Sequence, residues 1–386
     1  MRPAAPPTVD LNTRADMKNS LRVTLFVLLM SAGSAIAGTA RVATFNVWEL
    51  TEKKLSQTDD TGRGMNRQLK GAAEIIQRIR PDILLINEID VGNGDASGAR
   101  QFCNAYLAVS QNGQAPIEFE HIFVDEVNTG APSGFDLDND GKTNGPGDAW
   151  GYGQYAGQYG MAILSRFPID RKSIRTFRHL KWRDMPGALI CDGTNGKPDW
   201  YTEDEAAQFP LSSKSHWDVP INIDGQSLHL LCSHPTPPVF DGNEDRNGRR
   251  NFDEIRLWAD YISGGEKAGY IRDDQGKQAA LATTASFVIL GDLNADPTKD
   301  PAPYGQPAIN QLLNHERIKA NTQKLATDKT CEFGRIDYVL PSTDLKVKQS
   351  GVFTPNQGEE LHRLIQDRSA SSDHRLVWID IEIGKG

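Results

Sequence analysis

Residues 82–88 read DILLINE, and residues 287–292 read FVILGD. Each stretch is a continuous apolar run that ends in an acidic residue, which is typical of a strand buried on both faces. Similar runs predict further strands over 40–47, 160–165, 217–223, 227–233, 335–341 and 375–383. Apolar residues at helical spacing predict helices over 69–79, 251–262 and 308–314. Many strands with interleaved helices predict an α/β layered fold.

The composition is that of an ordinary globular protein. The 386 residues are 38% apolar and 24% charged, which excludes collagen-like, wholly disordered and multi-span membrane proteins. The sequence shows no internal repeat and no long linker, so we expect one domain over 38–386. Segments near 128–158 and 175–215 are rich in Gly, Asp and aromatic residues, which predicts ordered loop insertions near the functional site.

The N-terminal residues have the pattern of a secretory leader. Lys18 and Arg22 come just before an apolar run that is short for a membrane span and ends in small residues at 35 and 37. We therefore expect residues 1–37 to be a signal peptide, with Met17 as the start. The mature chain would begin at Gly38, would be secreted or periplasmic, and would keep no transmembrane segment. A buried core helix is the alternative interpretation of the run.

The charge balance weighs against tight binding to nucleic acid. The chain has 42 basic and 51 acidic residues, a formal charge of −9, and loss of the leader makes it −11 because the leader holds four basic and two acidic residues. A nucleic-acid role would need a local basic groove or bound cations.

Export would allow disulfides among Cys103, Cys191, Cys232 and Cys331, and buried free thiols are the equal alternative.

Polar residues collect where the predicted strands end. Carboxylates, carboxamides and histidines occupy these positions: Asn46, Glu88, His234, Asp292, Asn294, Asp337, Asp373 and His374. A cluster of such oxygen donors suits Mg²⁺ or Mn²⁺ better than Zn²⁺. Histidines beside it can hold an anion or move a proton. One polar strand end alone is more often structural, but the repeated pattern predicts a functional site.

The order of these residues resembles that of the endonuclease/exonuclease/phosphatase superfamily (deoxyribonuclease I-like), in a secreted bacterial form. The matching stretches are TFNV (44–47), LLINEID (84–90), YGMAILSRFPI (159–169), LHLLCSHPTPP (228–238), GDLNADP (291–297), RIDYVLPS (335–342) and SDHRLV (372–377). Together they span nearly the whole predicted mature chain. The resemblance implies a four-layer α/β/β/α sandwich with two packed, mostly antiparallel sheets. It also implies a site at one edge of the sheets and one or two divalent cations as cofactor.

The resemblance further implies roles for individual residues. Glu88 is expected to be the principal metal ligand, with Asn46 and Asp373 completing that side. Asp292 and Asn294 are expected to orient the attacking water and the phosphate. The identity of the general base, Asp292 or a histidine, stays open.

Two histidines and one more carboxylate complete the implied site. Asp337 is expected to fix the tautomer of His374. His374 would contact the phosphate and stabilise the charge of the transition state. His234 matches a second histidine of the deoxyribonuclease and sphingomyelinase branches, which the apurinic-site endonucleases lack. The resemblance therefore points away from base-excision repair, as the predicted leader does.

Two acidic segments match parts of the calcium-loop template D-x-[DN]-x-[DN]-G-x₅-E. The matching residues are Asn243, Asp245, Asn247 and Glu254 in one segment, and Asp136, Asp138 and Asp140 in the other. A structural Ca²⁺ ion is the hypothesis for both segments, and a helix entry or a structured turn is the alternative. Because the first segment follows His234 closely, Arg249 and Arg250 are competing candidates for binding substrate phosphate.

The sequence therefore predicts an exported, divalent-metal-dependent phosphoesterase that hydrolyses phosphodiester or phosphomonoester bonds by in-line attack of water. Its substrate would be a small molecule or a nucleic acid, and no stable protein partner is implied. A secreted non-specific endonuclease acting on DNA or RNA is the alternative function. A non-enzymatic calcium-binding surface module is the lesser alternative.

Overall fold

A computed structural model gives the fold. It describes residues 1, 2, 4, 5 and 38–384, with gaps at 192, 194–199, 299–303 and 320–328. Nearly all of the predicted signal peptide thus lies outside the described residues. In the part of the chain that is described, no helix combines the length and the apolar character needed to span a bilayer. The described residues from Gly38 onward belong to one compact unit.

The described residues form eleven strands and six α-helices. The strands are β1 (Gly38–Leu50), β2 (Ile83–Ile89), β3 (His121–Phe123), β4 (Gly160–Ser165), β5 (Arg175–Thr176), β6 (His216–Ile223), β7 (Gln226–Ser233), β8 (Ser286–Asp292), β9 (Asp337–Pro341), β10 (Lys346–Val352) and β11 (Val377–Ile383). The helices are α1 (Glu52–Leu55), α2 (Arg67–Ile79), α3 (Ser97–Phe102), α4 (Glu203–Gln208), α5 (Arg246–Ser263) and α6 (Asn310–Leu313).

The strands make two sheets, and both are mostly antiparallel. The first sheet has the order β10-β11-β1-β2-β4-β3, and the second has the order β5-β6-β7-β8-β9. Each sheet contains one parallel pair, β1 with β2 and β7 with β8. Because parallel strands end at the same edge of a sheet, the polar ends of each pair lie side by side.

Alternation along β8 shows how the layers stack. Val288 and Leu290 belong to the core that lies between the sheets and under α2. Phe287 and Ile289 point to the other face and join a second core with α5 and α6. A strand buried on both faces needs the continuous apolar run that its sequence shows. Helices therefore cover the outer face of each sheet, and the predicted α/β/β/α sandwich is confirmed.

The predicted strands are all present, but the sequence did not reveal β3, β5 and β10. β3 and β5 have only three and two residues. β10 reads KVKQSGV and has no buried residue, because it is an edge strand whose side chains need not be apolar. Helix α5 begins at Arg246 rather than at 251, because the polar segment before the apolar stripe is already helical.

The two predicted insertions are ordered in their described parts, and the second contributes to the core. Its side chains Phe177, Trp182 and Phe209 belong to the second core. Phe177 packs against Trp258 and Tyr261 of α5, and Trp182 packs against Phe209. The large buried aromatic rings explain why this segment is fixed without long strands.

All four cysteines lie in the described residues as free, buried thiols. Of the two alternatives, disulfides and buried free thiols, the structure has the second.

Candidate active site

The polar ends of the two parallel strand pairs meet at one edge of the sandwich. Asn46 and Glu88 come from β1 and β2, Asp292 ends β8, and His234 directly follows β7. Asp337 begins β9 and lies opposite Asp292 in the antiparallel ladder. Contacts of β8 with β1 and β2 join the two sheets at this edge. The structure thus brings five of the predicted site residues together.

Two bulges turn acidic side chains into the site. The register of the β1–β2 pair shifts between Asn46 and Leu50, and Trp48 and Glu49 have φ values of 44° and 54°. Glu88 has a φ of 65° at a second shift in β2. Left-handed conformations of residues other than glycine cost about 1–3 kcal/mol each and concentrate at functional sites. Here they let the Glu49 amide donate to Glu88 Oε2 at 3.1 Å.

Gly291 is required where β8 delivers Asp292. Its φ is +148°, and a Cβ atom there would lie 2.0 Å from the Ser233 carbonyl oxygen. This close approach of backbones is open only to glycine. The close approach at Gly291 places Asp292 beside His234, which follows Ser233.

A single carboxamide links the two central carboxylates. Asn46 Nδ2 donates to Asp292 Oδ2 and to Glu88 Oε1, both at 3.0 Å. The other oxygen of Asp292 accepts from the Asn294 amide at 3.0 Å. Both oxygens of this buried carboxylate are therefore held in place. Asn294 has a φ of 52°, and its Nδ2 donates to the Pro235 carbonyl at 3.1 Å.

Two imidazoles flank Asp292. Nδ1 of His374 pairs with Asp337 Oδ2 at 2.9 Å, and its Nε2 lies 3.7 Å from Asp292 Oδ2. His234 Nε2 lies 3.5 Å from the same Asp292 oxygen. Asp337 is fully buried, and its Oδ1 has no hydrogen-bond partner among the described residues. The Asp337 carboxylate is therefore used by His374.

The surroundings push the pKa values of the two histidines apart. Burial opposes charge on His374, but the carboxylates of Asp337 and Asp292 outweigh it and raise the pKa of His374 well above its ordinary value. Burial, assisted by the positive charges of Lys214 and His374, lowers the pKa of His234 well below its ordinary value. Burial also raises the pKa of Asp292, and Asp337 adds to that effect. The site therefore holds one cationic and one neutral imidazole at neutral pH.

The segment that carries Asp373 and His374 is fixed from α2 and β1. Gln68 Nε2 of α2 donates to the carbonyls of Val47 and Ser371. The Ser372 hydroxyl donates to the Asn46 carbonyl at 2.7 Å. These bonds hold the end of β1 against the segment that enters β11. The positions of Asn46 and His374 in the site are therefore fixed relative to each other.

The donor set on the Glu88 side fits a divalent cation. Burial raises the pKa of Glu88, and the negative charge of Asp373 raises it further. A cation between the two would relieve their repulsion, and both offer hard oxygen donors. Asn46 Oδ1 accepts only the Trp48 amide at 3.0 Å among the described hydrogen bonds, so it keeps a second lone pair. These three residues could hold Mg²⁺ or Mn²⁺.

A second group of potential ligand atoms overlaps the hydrogen-bond network. Among the described residues, Asp292, Asp337 and His374 each offer one atom within 4.8 Å of the others. The His374–Asp337 hydrogen bond already uses two of these atoms. We therefore assign this side of the site to proton and charge chemistry.

The two candidate phosphate-binding arginines are both buried, and they differ in their hydrogen bonds. Arg250 donates to the carbonyls of Leu211, Pro210 and Trp150. Arg250 and Arg249 are only 6% and 4% exposed. Because its donors are spent on main-chain carbonyls, Arg250 holds the insertions against α5. Arg249 donates only to the Leu189 carbonyl, at 3.4 Å, and its Nε has no partner among the described residues. The structure therefore does not place the Arg250 guanidinium free for substrate, and a phosphate contact by Arg249 stays a prediction.

The structure does not form the first predicted calcium loop. That loop would use four residues: Asn243, Asp245, Asn247 and Glu254. Helix α5 begins directly after Asp245, so Glu254 lies roughly 13 Å further along the helix axis. Both oxygens of Glu254 instead accept backbone amides, those of Ser213 and Thr236, at 2.6 Å. The template matched the residue types, whereas the helix separates them.

The second acidic segment is only partly as predicted. Asp136 and Asp138 have carboxylate oxygens within 4.8 Å of one another and of Asp148. Asp140 is exposed and pairs with Lys142 at 3.2 Å. The two oxygens of buried Asp148 accept backbone amides, so the turn accounts for this carboxylate without an ion. A structural calcium ion here stays a prediction.

Two residues near the site, Glu49 and Lys214, were not identified as site residues from sequence. Glu49 follows Asn46 through the β1 bulge, and the Tyr159 hydroxyl approaches Glu49 Oε1 at 3.4 Å. Lys214 is 5% exposed, and its charge acts on Glu88, His234 and Asp292. A bulge has no local sequence signal. Lys214 stands in the polar stretch SSKSH, which matches no motif, and only its position before a predicted strand could have marked it.

Comparisons with known proteins identify the family and the fold. A model of the Endonuclease/Exonuclease/phosphatase family matches residues 43–374. A search of curated proteins found no match. Among solved structures, an endonuclease/exonuclease/phosphatase from Beutenbergia cavernae is 15% identical, with a TM-score of 0.50, over 90% of this chain and 72% of that one. At this identity the likeness shows the fold alone.

Two further solved structures are similar at lower scores. Truncated Caenorhabditis elegans TDP2 is 15% identical, with a TM-score of 0.44, over 89% of this chain and 98% of that one. A mannosyl-6-phosphatase from Bacteroides thetaiotaomicron is 13% identical, with a TM-score of 0.44, over 89% of this chain and 99% of that one.

The fold and the site define a phosphoester-hydrolase class. With the family match extending over most of its length, the chain belongs to the endonuclease/exonuclease/phosphatase family. Members of this family hydrolyse phosphoesters, and the chain carries an acidic and histidine cluster within the matched region. It is therefore a phosphoric ester hydrolase, and the non-enzymatic alternative is set aside.

Proposed function

We propose that this protein is an exported phosphoesterase that depends on a divalent cation and cleaves phosphodiester or phosphomonoester bonds of small or exposed substrates. The observation that supports it most is Asp292, a buried carboxylate held by Asn46 and flanked by His234 and His374. Such an arrangement suits attack by water on a phosphorus centre, where a proton must be removed and negative charge must be stabilised.

Asp292 is the proton acceptor in this proposal. Its raised pKa makes it a better base near neutral pH than an ordinary aspartate. Asn46 Nδ2 and the Asn294 amide bind its two oxygens and fix its orientation. Because neither bond involves a group that titrates, the carboxylate stays in position when its charge changes.

The two histidines have different charges and different roles in this proposal. His374 is cationic, and its bond to Asp337 leaves Nε2 to face the phosphate. Its charge opposes the negative charge of the transition state. His234 is neutral, so it offers a polar nitrogen to the substrate without adding positive charge to the site.

The Glu88 side is where we place the cation. Glu88 and Asp373, with the carboxamide oxygen of Asn46, would hold Mg²⁺ or Mn²⁺. A bound divalent cation supplies Lewis acidity to a phosphate oxygen and lowers the pKa of a bound water.

Export is supported by the sequence of the leader. The basic residues Lys18 and Arg22 beside an apolar run and the small residues at its end are the features of a signal peptide. We propose a periplasmic or extracellular location, which is tested by N-terminal sequencing of the secreted protein. A start at Gly38 supports it, and an intact chain retained in the cytoplasm contradicts it.

The test of function is a panel of three substrates. Purified protein is assayed on bis-p-nitrophenyl phosphate, p-nitrophenyl phosphate and plasmid DNA, with Mg²⁺, Mn²⁺ or Ca²⁺ and with chelator. His374→Ala is the matched control. The proposal predicts cleavage of the small esters that chelator and the substitution both abolish, with the plasmid intact. Rapid nicking of the plasmid would favour the nuclease, and cleavage that survives chelator would contradict metal dependence.

A further inference from the structure

Lys214 lies directly beside the catalytic strand ends. In the antiparallel pair of β6 and β7, His216 is opposite Ser233. Continuing this register past the strand ends places Lys214 opposite Pro235, the residue that follows His234. Lysine side chains are almost never fully buried unless their charge is paired. Lys214 is only 5% exposed.

The ammonium of Lys214 is poorly satisfied by the protein. Its Nζ lies 3.5 Å from the Pro235 carbonyl oxygen, at the limit of a hydrogen bond. Asn294 Nδ2 donates to the same carbonyl oxygen at 3.1 Å. In the described part of the chain we find no ion pair of Lys214 within 4.0 Å. A buried ammonium has three donors to satisfy, and here at least two are left for another acceptor.

The charge of Lys214 acts on the site. Burial lowers the pKa of Lys214, and the carboxylates of Glu254, Asp292 and Glu88 act in the opposite direction. Lys214 in turn helps to lower the pKa of His234. The lysine thus lies within electrostatic range of both the proton acceptor and the proposed metal side.

Glu254 holds the two chain segments that carry Lys214 and His234. Its Oε1 accepts the Ser213 amide and its Oε2 accepts the Thr236 amide, each at 2.6 Å. Ser213 and Thr236 lie opposite each other on the extended β6–β7 register. One buried carboxylate therefore clamps both segments at a fixed separation.

Polar atoms around this clamp also lack partners. The hydroxyls of Ser213, Ser215 and Thr236 and the Nδ1 atom of His234 are buried without a hydrogen bond among the described residues. Unpaired buried polar groups are costly and call for an explanation. A ligand that brings several acceptor oxygens would supply one.

We propose that Lys214 is a substrate-contacting residue, whose ammonium binds a non-bridging oxygen of the phosphoryl group, and that Glu254 is the positioning residue for it. This inference rests on the proposed function and extends it. A phosphate entering between Asp292 and Glu88 meets negative charge, and a buried ammonium with unused donors offsets that repulsion where water is excluded. A purely structural lysine would instead be expected to bond Glu254 directly, which it does not.

The test compares Lys214→Met with Lys214→Arg. Lys181→Met is the matched control, because Lys181 also donates to one main-chain carbonyl, that of Gln208 at 2.7 Å. Binding of inorganic phosphate is measured by calorimetry and hydrolysis of bis-p-nitrophenyl phosphate by kcat and KM. We expect Lys214→Met to weaken phosphate binding at least tenfold and to lower kcat/KM by about 10²–10³-fold. Lys214→Arg should recover most of the binding, and the control should behave as wild type.

A rescue experiment separates substrate contact from a structural role. Methylammonium added to Lys214→Ala should restore kcat in a saturable way, which a folding defect would not allow. If the variants do not fold, reductive methylation of the unaltered protein is followed by mass spectrometry, with Lys181 as the internal reference. Inorganic phosphate should protect residue 214 and leave Lys181 unchanged.

The outcomes distinguish this proposal from the proposed function. If wild type and Lys214→Met bind phosphate and turn over substrate equally, Lys214 does not contact the phosphate. Equal methylation of residue 214 with and without phosphate would overturn the proposal in the same way. If wild type cleaves none of the phosphoesters but binds phosphate through Lys214, the anion contact stands and the proposed function fails.

Discussion

Replacing Asp337 by asparagine tests the electrostatic role of the His374–Asp337 pair. The substitution keeps the shape of the side chain and removes one charge that lies 2.9 Å from His374 Nδ1. At an effective dielectric constant of about 20, two unit charges at that distance attract by roughly 6 kcal/mol. Desolvation offsets part of this, and hydrogen bonds to charged groups contribute a net of about 1.5–3 kcal/mol. We therefore expect kcat to fall by roughly 10- to 150-fold, at about 1.4 kcal/mol per tenfold.

The pH profile gives the sign of the effect. Asp337 stabilises the imidazolium and raises the pKa of His374, so its removal lowers that pKa. If the cationic form is the active one, activity is lost as pH rises through the pKa of His374. The alkaline limb of kcat should then move to lower pH in Asp337→Asn.

The assay is hydrolysis of bis-p-nitrophenyl phosphate at saturating substrate between pH 5 and pH 10. Asp344→Asn is the control, since Asp344 accepts a hydroxyl of Ser286 at an exposed position. A kcat within twofold of wild type together with an unshifted alkaline limb would refute the role given to the pair.

Three further predictions concern metal binding and stability. Glu88→Gln should weaken Mn²⁺ binding by at least about tenfold in calorimetry, and unchanged affinity would remove Glu88 as a ligand. Glu254→Gln presents an amide donor to the Ser213 or the Thr236 amide, so urea unfolding should show a loss of about 1–3 kcal/mol; no loss would contradict the clamp. Burial raises the pKa of Asp253 to about 6, so the folded state binds this proton more tightly than the unfolded state. Wild-type stability should therefore fall as pH rises from about 4 through 6, by roughly 3 kcal/mol from this group. Asp253→Asn should lack that part of the pH dependence in thermal melts, and a pH-independent difference between the two proteins would argue against the shift.

The strands and their polar ends were predictable because a strand buried on both faces needs a continuous apolar run, and a polar residue marks where that run ends at the sheet edge. The apolar run before Glu88 and the run before Asp292 each require a strand covered on both sides. Both runs end in a carboxylate at the same edge. Composition and order were therefore enough to expect that Asn46, His234 and His374 would lie near these carboxylates.

Features that arise only from three-dimensional contact were not predictable. The bulge that turns Glu49 toward the site depends on the pairing of β1 with β2. The burial of Lys214 depends on an insertion whose course the sequence does not indicate. Glu254 matched the closing position of a calcium loop, but helix propensity and the packing of α5 decided its place. Residue type at a template position carries no information about the backbone between the positions.

Loss of activity in the double variant Asp292→Ala/His374→Ala tests the central claim most directly. Bis-p-nitrophenyl phosphate hydrolysis by this variant is compared with wild type under the same metal conditions, with near-ultraviolet circular dichroism to verify the fold. If the strand-end cluster performs the chemistry, the folded variant should lose at least about 10³-fold in kcat/KM. Full activity in a folded double variant would show that hydrolysis takes place elsewhere on the molecule.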